Sequence, residues 1–305
     1  MQKVACLLTL SALLLTPALA EAQPLVPGEL LASTGSQGGE LLTLDPATGD
    51  GTFRCPLGSQ GPVTEIEFRE DGVLFGTTGG GSSNLIRIDP VGCVESYVGT
   101  HDYGSVNGLE FVGATLYGTF FNATMVESVE GFSPTSLVIV DPTDASLTVI
   151  DSLPYHPVRG LAWDAATSTM FGIGSGAPQL EGIGDYLFTV DLATGSTTSL
   201  GQTGYTFGSL ELGPDGVLYA GENSPPSSAG PEGSAGLFSI DPATAQATLI
   251  GPTGAPGVSG LTFVPEGTTI LAIPTLSMPG IAAFAALLFI AGAMLLRRHR
   301  PSNVR

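Results

Sequence analysis

Three glutamates occupy the same place in a short apolar motif that recurs along the chain. In five copies of the motif, the residue between the two apolar positions is Glu67, Glu110, Ala162, Glu211 or Thr262. If the copies form a ring, the carboxylates lie at one level around its centre. Carboxylate oxygens suit calcium or magnesium, and two carboxylates can act as the acid and base of a glycosidase. Glu67, Glu110 and Glu211 are therefore candidate cation ligands, with Ca²⁺ as the candidate ion; hydrogen bonding to neighbouring backbone or water is the structural alternative.

A second group of polar and aromatic residues falls in or beside loops between the repeated units. Loops on a rigid scaffold commonly carry binding sites. Aromatic rings there can stack on sugar faces, while His, Asp and Arg side chains supply directed hydrogen bonds. The alternative is that these residues only pack their own loops. The candidate ligand-binding face consists of His101, Asp102, Tyr103, Tyr155, His156, Arg159, Tyr205 and Phe207.

Two strings that each recur five times indicate the elements that must position these residues. The first is an apolar run ending in Asp, as in LLTLDPATG and LFSIDPATA, and its aspartates are 44, 52, 50 and 50 residues apart. The second, as in NGLEFVGATLYGT, falls between copies of the first. Short alternating apolar runs bounded by Gly, Pro, Asp or Asn are typical of β-strands, and each unit holds four of them. We interpret the repeated aspartates as caps of tight turns rather than catalytic groups; they are Asp45, Asp89, Asp141, Asp191 and Asp241.

Four-stranded units of this length are the size of β-propeller blades. The sequence therefore predicts an all-β, five-bladed β-propeller over residues 23–272, and the pattern GLxF, DGxLYG and LxxID resembles the blades of NHL- and YVTN-type propellers. The repeat region begins at 28–34 with a second strand and ends at 258–264 with a spare first strand. Pairing these segments would close the ring and remove its open edges. An open β-solenoid is the alternative architecture.

The charge of the chain excludes one large class of partners. The sequence has 28 acidic and 9 basic residues, a net charge of −19. Residues 23–272 contain 27 acidic residues, four arginines and no lysine, which gives −23. Nucleic-acid binding requires a basic surface, which this region lacks. An acidic surface repels anionic polymers, attracts divalent cations and keeps a protein soluble.

Both ends of the chain carry apolar segments outside the repeats. Residues 1–22 have the pattern of a signal peptide, with Lys3, an apolar run and small residues at the cleavage site. Residues 280–296 contain no charge and are long enough for a transmembrane helix. The arginine-rich tail, 297–305, marks the cytoplasmic side of the membrane. We therefore expect the repeat region to be exported and anchored by this helix.

A short motif stands directly before the C-terminal apolar segment: Ile273, Pro274, Thr275, Leu276 and Ser277. Together with the apolar span and the arginine-rich end, this motif resembles the IPTL-CTERM sorting signal, which is similar to the PEP-CTERM tails of Gram-negative bacteria. The resemblance covers residues 273–305 and departs from the family pattern at Met278 and Pro279. It implies processing by an exosortase-type membrane protease and transfer to the cell surface or extracellular matrix, where exopolysaccharide and biofilm components are typical partners. A plain single-span anchor is the alternative.

Two cysteines, Cys55 and Cys93, fall in the region expected to be exported. Exported cysteines commonly pair, and no further ligands accompany them to form a zinc site. A bond between them would close a loop of about 38 residues and would stabilise the fold by about 3–4 kcal/mol in the loop-entropy model. We therefore predict one disulfide.

The combined features favour a non-catalytic binding or scaffolding module at the cell surface, with carbohydrate as the favoured ligand and no cofactor other than calcium. One alternative is a carbohydrate-active hydrolase that uses the glutamates of the central channel. The other is a purely structural surface protein. No Gly-x-Ser-x-Gly nucleophile motif is present, which removes the usual hydrolase serine.

Overall fold

The structure is a computed structural model that describes residues 24–35, 39–79, 83–101, 104–121, 135–176, 184–223 and 233–267. These residues form twenty β-strands. Within the described ranges, no helix has the length and apolar character that crossing a membrane requires. The predicted signal peptide, sorting motif and transmembrane segment lie outside the described residues and stay predictions.

The strands form five four-stranded antiparallel sheets, which confirms the predicted five-bladed propeller and its four-stranded blade. The inner strands of neighbouring blades pack side by side in a closed ring, in the order β20, β4, β8, β12 and β16. From the centre outwards, the strands are β20 (Gly260–Phe263), β1 (Leu30–Ser33), β2 (Glu40–Leu44) and β3 (Gly51–Pro56) in blade 1; β4 (Val63–Phe68), β5 (Leu74–Thr78), β6 (Ser83–Asp89) and β7 (Val94–His101) in blade 2; β8 (Ser105–Val112), β9 (Thr115–Phe121), β10 (Thr135–Val140) and β11 (Leu147–Leu153) in blade 3; β12 (Val158–Asp164), β13 (Thr169–Ser175), β14 (Asp185–Val190) and β15 (Thr197–Gln202) in blade 4; and β16 (Phe207–Leu212), β17 (Leu218–Glu222), β18 (Gly236–Ile240) and β19 (Ala247–Pro252) in blade 5.

Blade 1 is assembled from both ends of the repeat region. Strand β20 pairs antiparallel with β1, with Leu31 opposite Thr262 and Ser33 opposite Gly260. This pairing confirms the predicted closure of the ring. Because the closing contact joins distant parts of the chain, neither edge of the blade array remains unpaired.

The turn between the third and fourth strands of each blade follows the aspartate pattern. In every blade the Asp carboxylate accepts a hydrogen bond from the backbone N–H two residues further on. In blade 4, for example, Asp191 Oδ1 lies 2.9 Å from the Ala193 nitrogen and 2.8 Å from the Thr194 nitrogen. The interpretation of these aspartates as turn caps is confirmed. The fifth turn residue has a left-handed backbone in each blade: Gly49, Cys93, Ala145, Gly195 and Ala245.

The hydrophobic core lies between the blades. In one buried cluster, Ala162 and Phe171 of blade 4 pack with Phe207 and Phe238 of blade 5. Burial of an apolar side chain of this size stabilises the fold by roughly 1.5–3 kcal/mol. Each blade therefore depends on its neighbours, and the packing between blades fixes the walls of the central channel.

The inner strands share a β-bulge at the same end. The pairing register with the second strand shifts at this point in β4, β8, β12 and β16. A bulge leaves one residue outside the regular pairing and re-aims its side chain. The four bulge residues are Thr64, Asn107, Arg159 and Gly208, and Ser259, directly before β20, holds the corresponding place in blade 1.

Candidate functional site

A cavity of about 380 Å³ lies at the end of the channel where the five inner strands begin. We call it the mouth cavity. Every blade contributes to it through the bulge position of its inner strand or the residue that corresponds to it. The lining consists of Thr64, Asn107, Arg159, Gly208 and Ser259, with Gly35, Asn223, Pro256 and Gly257 beside them.

The lining of the mouth cavity is polar and carries few formal charges. Thr64 and Ser259 offer hydroxyls, Asn107 and Asn223 offer amides, and the glycines let a ligand approach the backbone closely. Arg159 supplies the cation. Hydroxyl and amide groups both donate and accept hydrogen bonds, so this set of side chains matches a ligand that is itself rich in hydroxyls.

Arg159 is held at the rim of the cavity by a buried acid. Its Nη1 lies 3.4 Å from Asp185 Oδ1 and 3.4 Å from Ser175 Oγ. The Asp185 side chain is fully buried, and its carboxylate also accepts hydrogen bonds from the Phe207 N–H at 2.7 Å and the Ser175 hydroxyl at 2.8 Å. Burial raises the pKa of Asp185, while the charge of Arg159 acts in the opposite direction. The arginine side chain is itself 22 % exposed and can contact a ligand.

One residue further along the inner strands, the blades approach each other most closely. This layer contains Gly108, Gly160 and Gly260, together with Glu65 and Ser209. A Cβ atom on Gly160 would lie 2.4 Å from the backbone nitrogen of Leu210 in the next blade. Only glycine fits at this approach. The glycine layer therefore separates the mouth cavity from the residues deeper in the channel.

The three predicted channel glutamates come together below this layer. Glu67, Glu110 and Glu211 each place a carboxylate oxygen within 4.8 Å of the others. Their carboxylates also accept hydrogen bonds from the next blade, at the N–H groups of Phe111, Trp163 and Phe263 respectively. In blade 1, Thr262 Oγ1 accepts the corresponding bond from the Phe68 nitrogen at 3.2 Å. These glutamates, which we call the channel carboxylates, join the blades as well as gathering negative charge.

Burial changes the acid–base behaviour of the channel carboxylates. Loss of water raises the pKa of Glu67 to about 8 and raises the pKa values of Glu110 and Glu211 well above the ordinary range. Repulsion from the charge of Glu67 raises the pKa values of Glu110 and Glu211 further. In the absence of a cation, neutral pH therefore favours protons on this cluster.

A fourth carboxylate stands close to the cluster. Glu65 lies two residues before Glu67 on the same face of β4 and is 2 % exposed. Burial raises its pKa, and the charges of Glu67 and Glu211 add to the effect. Its Oε2 has no hydrogen-bond partner among the described residues, and the same is true of Ser209 Oγ in the same layer. Unsatisfied buried oxygens are uncommon and call for a water or an ion.

The predicted ligand-binding face is largely built into the packing between blades. His101 is 2 % exposed, and its Nδ1 lies 2.9 Å from the carbonyl oxygen of Ala145 in blade 3. Burial lowers the pKa of His101 and keeps the ring neutral. Tyr155, 5 % exposed, stacks on Phe188 with ring centroids 3.9 Å apart. These side chains have little surface left for a ligand.

The remaining residues of that face are divided between packing and the cavity. Phe207 is fully buried, and Tyr205 packs on Phe238 with ring centroids 4.5 Å apart. His156 stacks on Phe121 at 4.8 Å, and its pKa is lowered by burial and by the charge of Arg159. Arg159 is the one described member of the predicted face that lines the mouth cavity. Asp102 and Tyr103 lie outside the described residues.

Sequence reasoning missed most of the mouth cavity, although the repeats contained a signal. Thr64, Asn107, Arg159, Gly208 and Ser259 are the first letters of TEIEF, NGLEF, RGLAW, GSLEL and SGLTF. The position varies between repeats while the apolar positions around it do not. A variable polar position at a fixed place in a repeat indicates a shared location in the ring. Its direction depends on the bulge, which the alternation of apolar residues does not predict.

The two cysteines of the repeat region meet at the outer surface of the ring. Cys55 lies on β3 of blade 1, and Cys93 follows the turn after β6 of blade 2. Both are thiols in this structure, and they hydrogen-bond to each other. The predicted pairing partners are therefore adjacent.

Comparison with known proteins gives structural likeness only. No protein-family model and no curated protein matches the chain. Among solved structures, the chain is similar to a chain of a nidogen–laminin complex at 13 % identity and a TM-score of 0.48, covering 77 % of this chain and 98 % of that one. It is also similar to a protein of unknown function from Bacteroides caccae at 9 % identity and a TM-score of 0.42, covering 79 % of this chain and all of that one.

Proposed function

We propose that this protein is a non-catalytic binding module that holds a neutral sugar unit of a polysaccharide in the mouth cavity. The observation that carries the proposal is the convergence of one inner-strand position from each of the five blades on a single polar cavity. Cavities of this volume are within the range used for small ligands. A ring of similar blades supplies a rigid frame, so the polar groups are positioned before the ligand arrives.

The chemistry of the cavity favours a neutral carbohydrate over other small ligands. The amides of Asn107 and Asn223, the hydroxyls of Thr64 and Ser259 and the guanidinium of Arg159 offer both donors and acceptors. The net charge of −23 over residues 23–272 opposes the approach of anionic polymers. The described aromatic residues of the predicted face pack between blades, so the proposal rests on hydrogen bonding rather than stacking.

The cellular setting belongs to the same proposal. The signal-peptide pattern of residues 1–22 and the sorting-signal resemblance of 273–305 support export to the cell surface or matrix of a Gram-negative bacterium. In that setting an exosortase-type protease would process the tail, and exopolysaccharide would be the ligand within reach. Export can be checked separately, by locating the full-length protein in cell fractions.

Binding can be tested with the exported region, residues 23–272, whose ring closes within itself. Titration calorimetry with neutral oligosaccharides from the producer's exopolysaccharide should detect binding. Asn107→Ala should weaken it at least tenfold, about 1.4 kcal/mol, because a directed hydrogen-bonding group is lost. Asn84→Ala removes the same side chain from β6, away from the cavity, and should bind normally. Equal binding by wild type and Asn107→Ala would refute the site.

The same samples separate the module from the two alternatives. Release of reducing ends would favour a hydrolase acting through the channel carboxylates. Absence of both binding and release would favour a purely structural role. The hydrogen bonds that Glu67 and Glu110 accept from neighbouring blades give these acids a structural use that requires no turnover.

A second candidate function is the binding of a divalent cation, Ca²⁺ by its ligand chemistry, at the channel carboxylates. It rests on three carboxylate oxygens within 4.8 Å of one another and on the buried Glu65 Oε2, which has no partner among the described residues. Hard oxygen ligands of this kind suit calcium. A bound cation would also offset the repulsion between the buried charges. Its test is thermal stabilisation by calcium that depends on Glu110.

A further inference from the structure

The outer surface of the ring contains a contact that recurs at each junction between blades. The fifth residue of the turn between the third and fourth strands packs against the outermost strand of the preceding blade. A Cβ on Gly99 of blade 2 would lie 2.8 Å from the Ala145 Cβ of blade 3, and a Cβ on Gly195 of blade 4 would lie 2.6 Å from the Asp151 Cβ of blade 3. Four junctions follow this scheme, with the pairs Gly99–Ala145, Asp151–Gly195, Gly201–Ala245 and Gly251–Gly49.

The partners on the outer strand are equivalent residues. Each stands opposite the leucine that precedes the register shift between the third and fourth strands of its blade. The pairings are Leu85 with Gly99, Leu137 with Asp151, Leu187 with Gly201, Leu237 with Gly251, and in blade 1 Leu41 with Cys55. Cys55 is therefore the blade 1 member of this set, and Cys93 is the fifth turn residue of blade 2.

The junction between blades 1 and 2 is thus the one where both positions hold cysteine. At the other four junctions at least one partner is glycine, because the backbones approach too closely for two side chains: a Cβ on Gly251, for example, would lie within van der Waals overlap of the Thr48 carbonyl oxygen. A covalent bond between the two sulfurs replaces their van der Waals separation by a bond length. A disulfide is therefore suited to a junction this narrow.

The backbone at Cys93 supports a specific use for this residue. Its φ of +56° lies in the left-handed region, where the corresponding residues are glycine or alanine. That region is costly for a residue with a γ atom. Cys55 is 1 % exposed, and burial together with the neighbouring Cys93 raises the pKa of its thiol. A strained, buried thiol pair is a poor nucleophile, which argues against a catalytic use.

We propose that Cys55 and Cys93 form an inter-blade disulfide that staples blade 1 to blade 2. Blade 1 is the blade that closes the ring, and its closing contact, β20 with β1, is non-covalent. The bond ties β3, which continues from β1 and β2, to the neighbouring blade. In the reaction the two thiols lose two protons and two electrons, and an external disulfide, such as that of a thiol oxidoreductase or oxidised glutathione, is reduced to two thiols. The staple is independent of what the mouth cavity binds.

The bond itself can be detected in residues 23–272 exported to an oxidising compartment. In denaturant without reductant, neither cysteine should react with an alkylating reagent, and the intact mass should be two hydrogens below that of the reduced protein. Cys6 lies in the predicted signal peptide and does not interfere. Alkylation of both residues before reduction would overturn the proposal.

The role of the bond can be measured by thermal unfolding with and without reductant. Reduction should lower the Tm of the wild type by about 5–10 °C, from the loop-entropy model and the size of the ring. Cys93→Gly restores the residue used in blades 1 and 4, relieves the left-handed strain and removes the bond. Its Tm should not respond to reductant, and the same holds for Cys55→Ala. A reductant-induced decrease of equal size in Cys93→Gly, or no decrease in the wild type, would contradict the staple.

Discussion

Acidic residues form two rings in this molecule, one on the outer turns and one in the channel, and the two behave in opposite ways. On the outer turns, Asp141, Asp191 and Asp241 accept hydrogen bonds from threonines and backbone N–H groups, which lower their pKa values. In the channel, loss of water raises the pKa values of Glu67 and Glu110. Both rings arise from one acid per repeated unit.

The comparison shows that solvation, rather than residue type, decides what a repeated acid does. An exposed carboxylate keeps its charge and caps a turn at little cost. A buried carboxylate must take a proton, a hydrogen bond or a cation. The outer ring is therefore structural, and the inner ring is the one whose charge state can respond to pH or to an ion.

The largest expected effect is a pH dependence of stability set by the inner ring. The folded-state pKa of Glu67 is about 8, above its ordinary value of 4.5, so the folded protein binds more protons than the unfolded chain between these values. Its contribution is fully present below pH 4.5 and is lost as pH rises towards 8. Urea unfolding in chelator should show a midpoint that falls over this interval. A midpoint that rises from pH 4.5 to 8 would contradict the buried, protonated ring.

A smaller effect is expected from neutralising one channel carboxylate. Glu110→Gln keeps a hydrogen-bond acceptor for the Trp163 N–H but removes a buried charge, so in chelator it should raise the Tm at pH 8 and leave it nearly unchanged at pH 5. Calcium should raise the Tm of the wild type at pH 8 and should not raise that of Glu110→Gln. The control is Glu70→Gln, an exposed glutamate, which should respond to calcium as the wild type does. Equal calcium responses in all three proteins would remove the cation from the channel.

The smallest effect is expected on the outer ring. Asp191→Ala removes the acceptor of bonds from the Ala193 and Thr194 nitrogens and the Thr194 hydroxyl, so the urea midpoint at pH 7 should decrease slightly. Asp191→Asn keeps an acceptor oxygen and should restore most of it. Because the folded-state pKa of Asp191 is lowered, its contribution is present above pH 3.8 and is lost as pH falls through the folded-state value. A decrease that persists unchanged in strong acid would rule out the carboxylate as the cap.

The fold was predictable because its information is local and repeated. The aspartate turns, the strand periodicity and the split blade at 28–34 and 258–264 follow from the order of apolar residues alone. The level shared by Glu67, Glu110 and Glu211 follows from the same repeat once the ring is assumed. Their separation and burial do not, because these depend on how closely the glycine layer lets the blades approach.

The mouth cavity was harder to predict because a bulge re-aims its side chains. Strand alternation assigns no special direction to Asn107 or Thr64, and the pairing register that turns them inwards is set by the neighbouring strand. The aromatic residues were misleading for a related reason. Tyr155 and Phe207 stand beside loops in the sequence, yet the blades close over them and use their area as core.

The most direct test of the account is a crystal structure of residues 23–272 with a bound neutral oligosaccharide from the producer's exopolysaccharide. The account predicts that a sugar ring occupies the mouth cavity and hydrogen-bonds to Asn107 and Arg159. A sugar bound instead on the outer strands, with the mouth cavity holding only water, would contradict it.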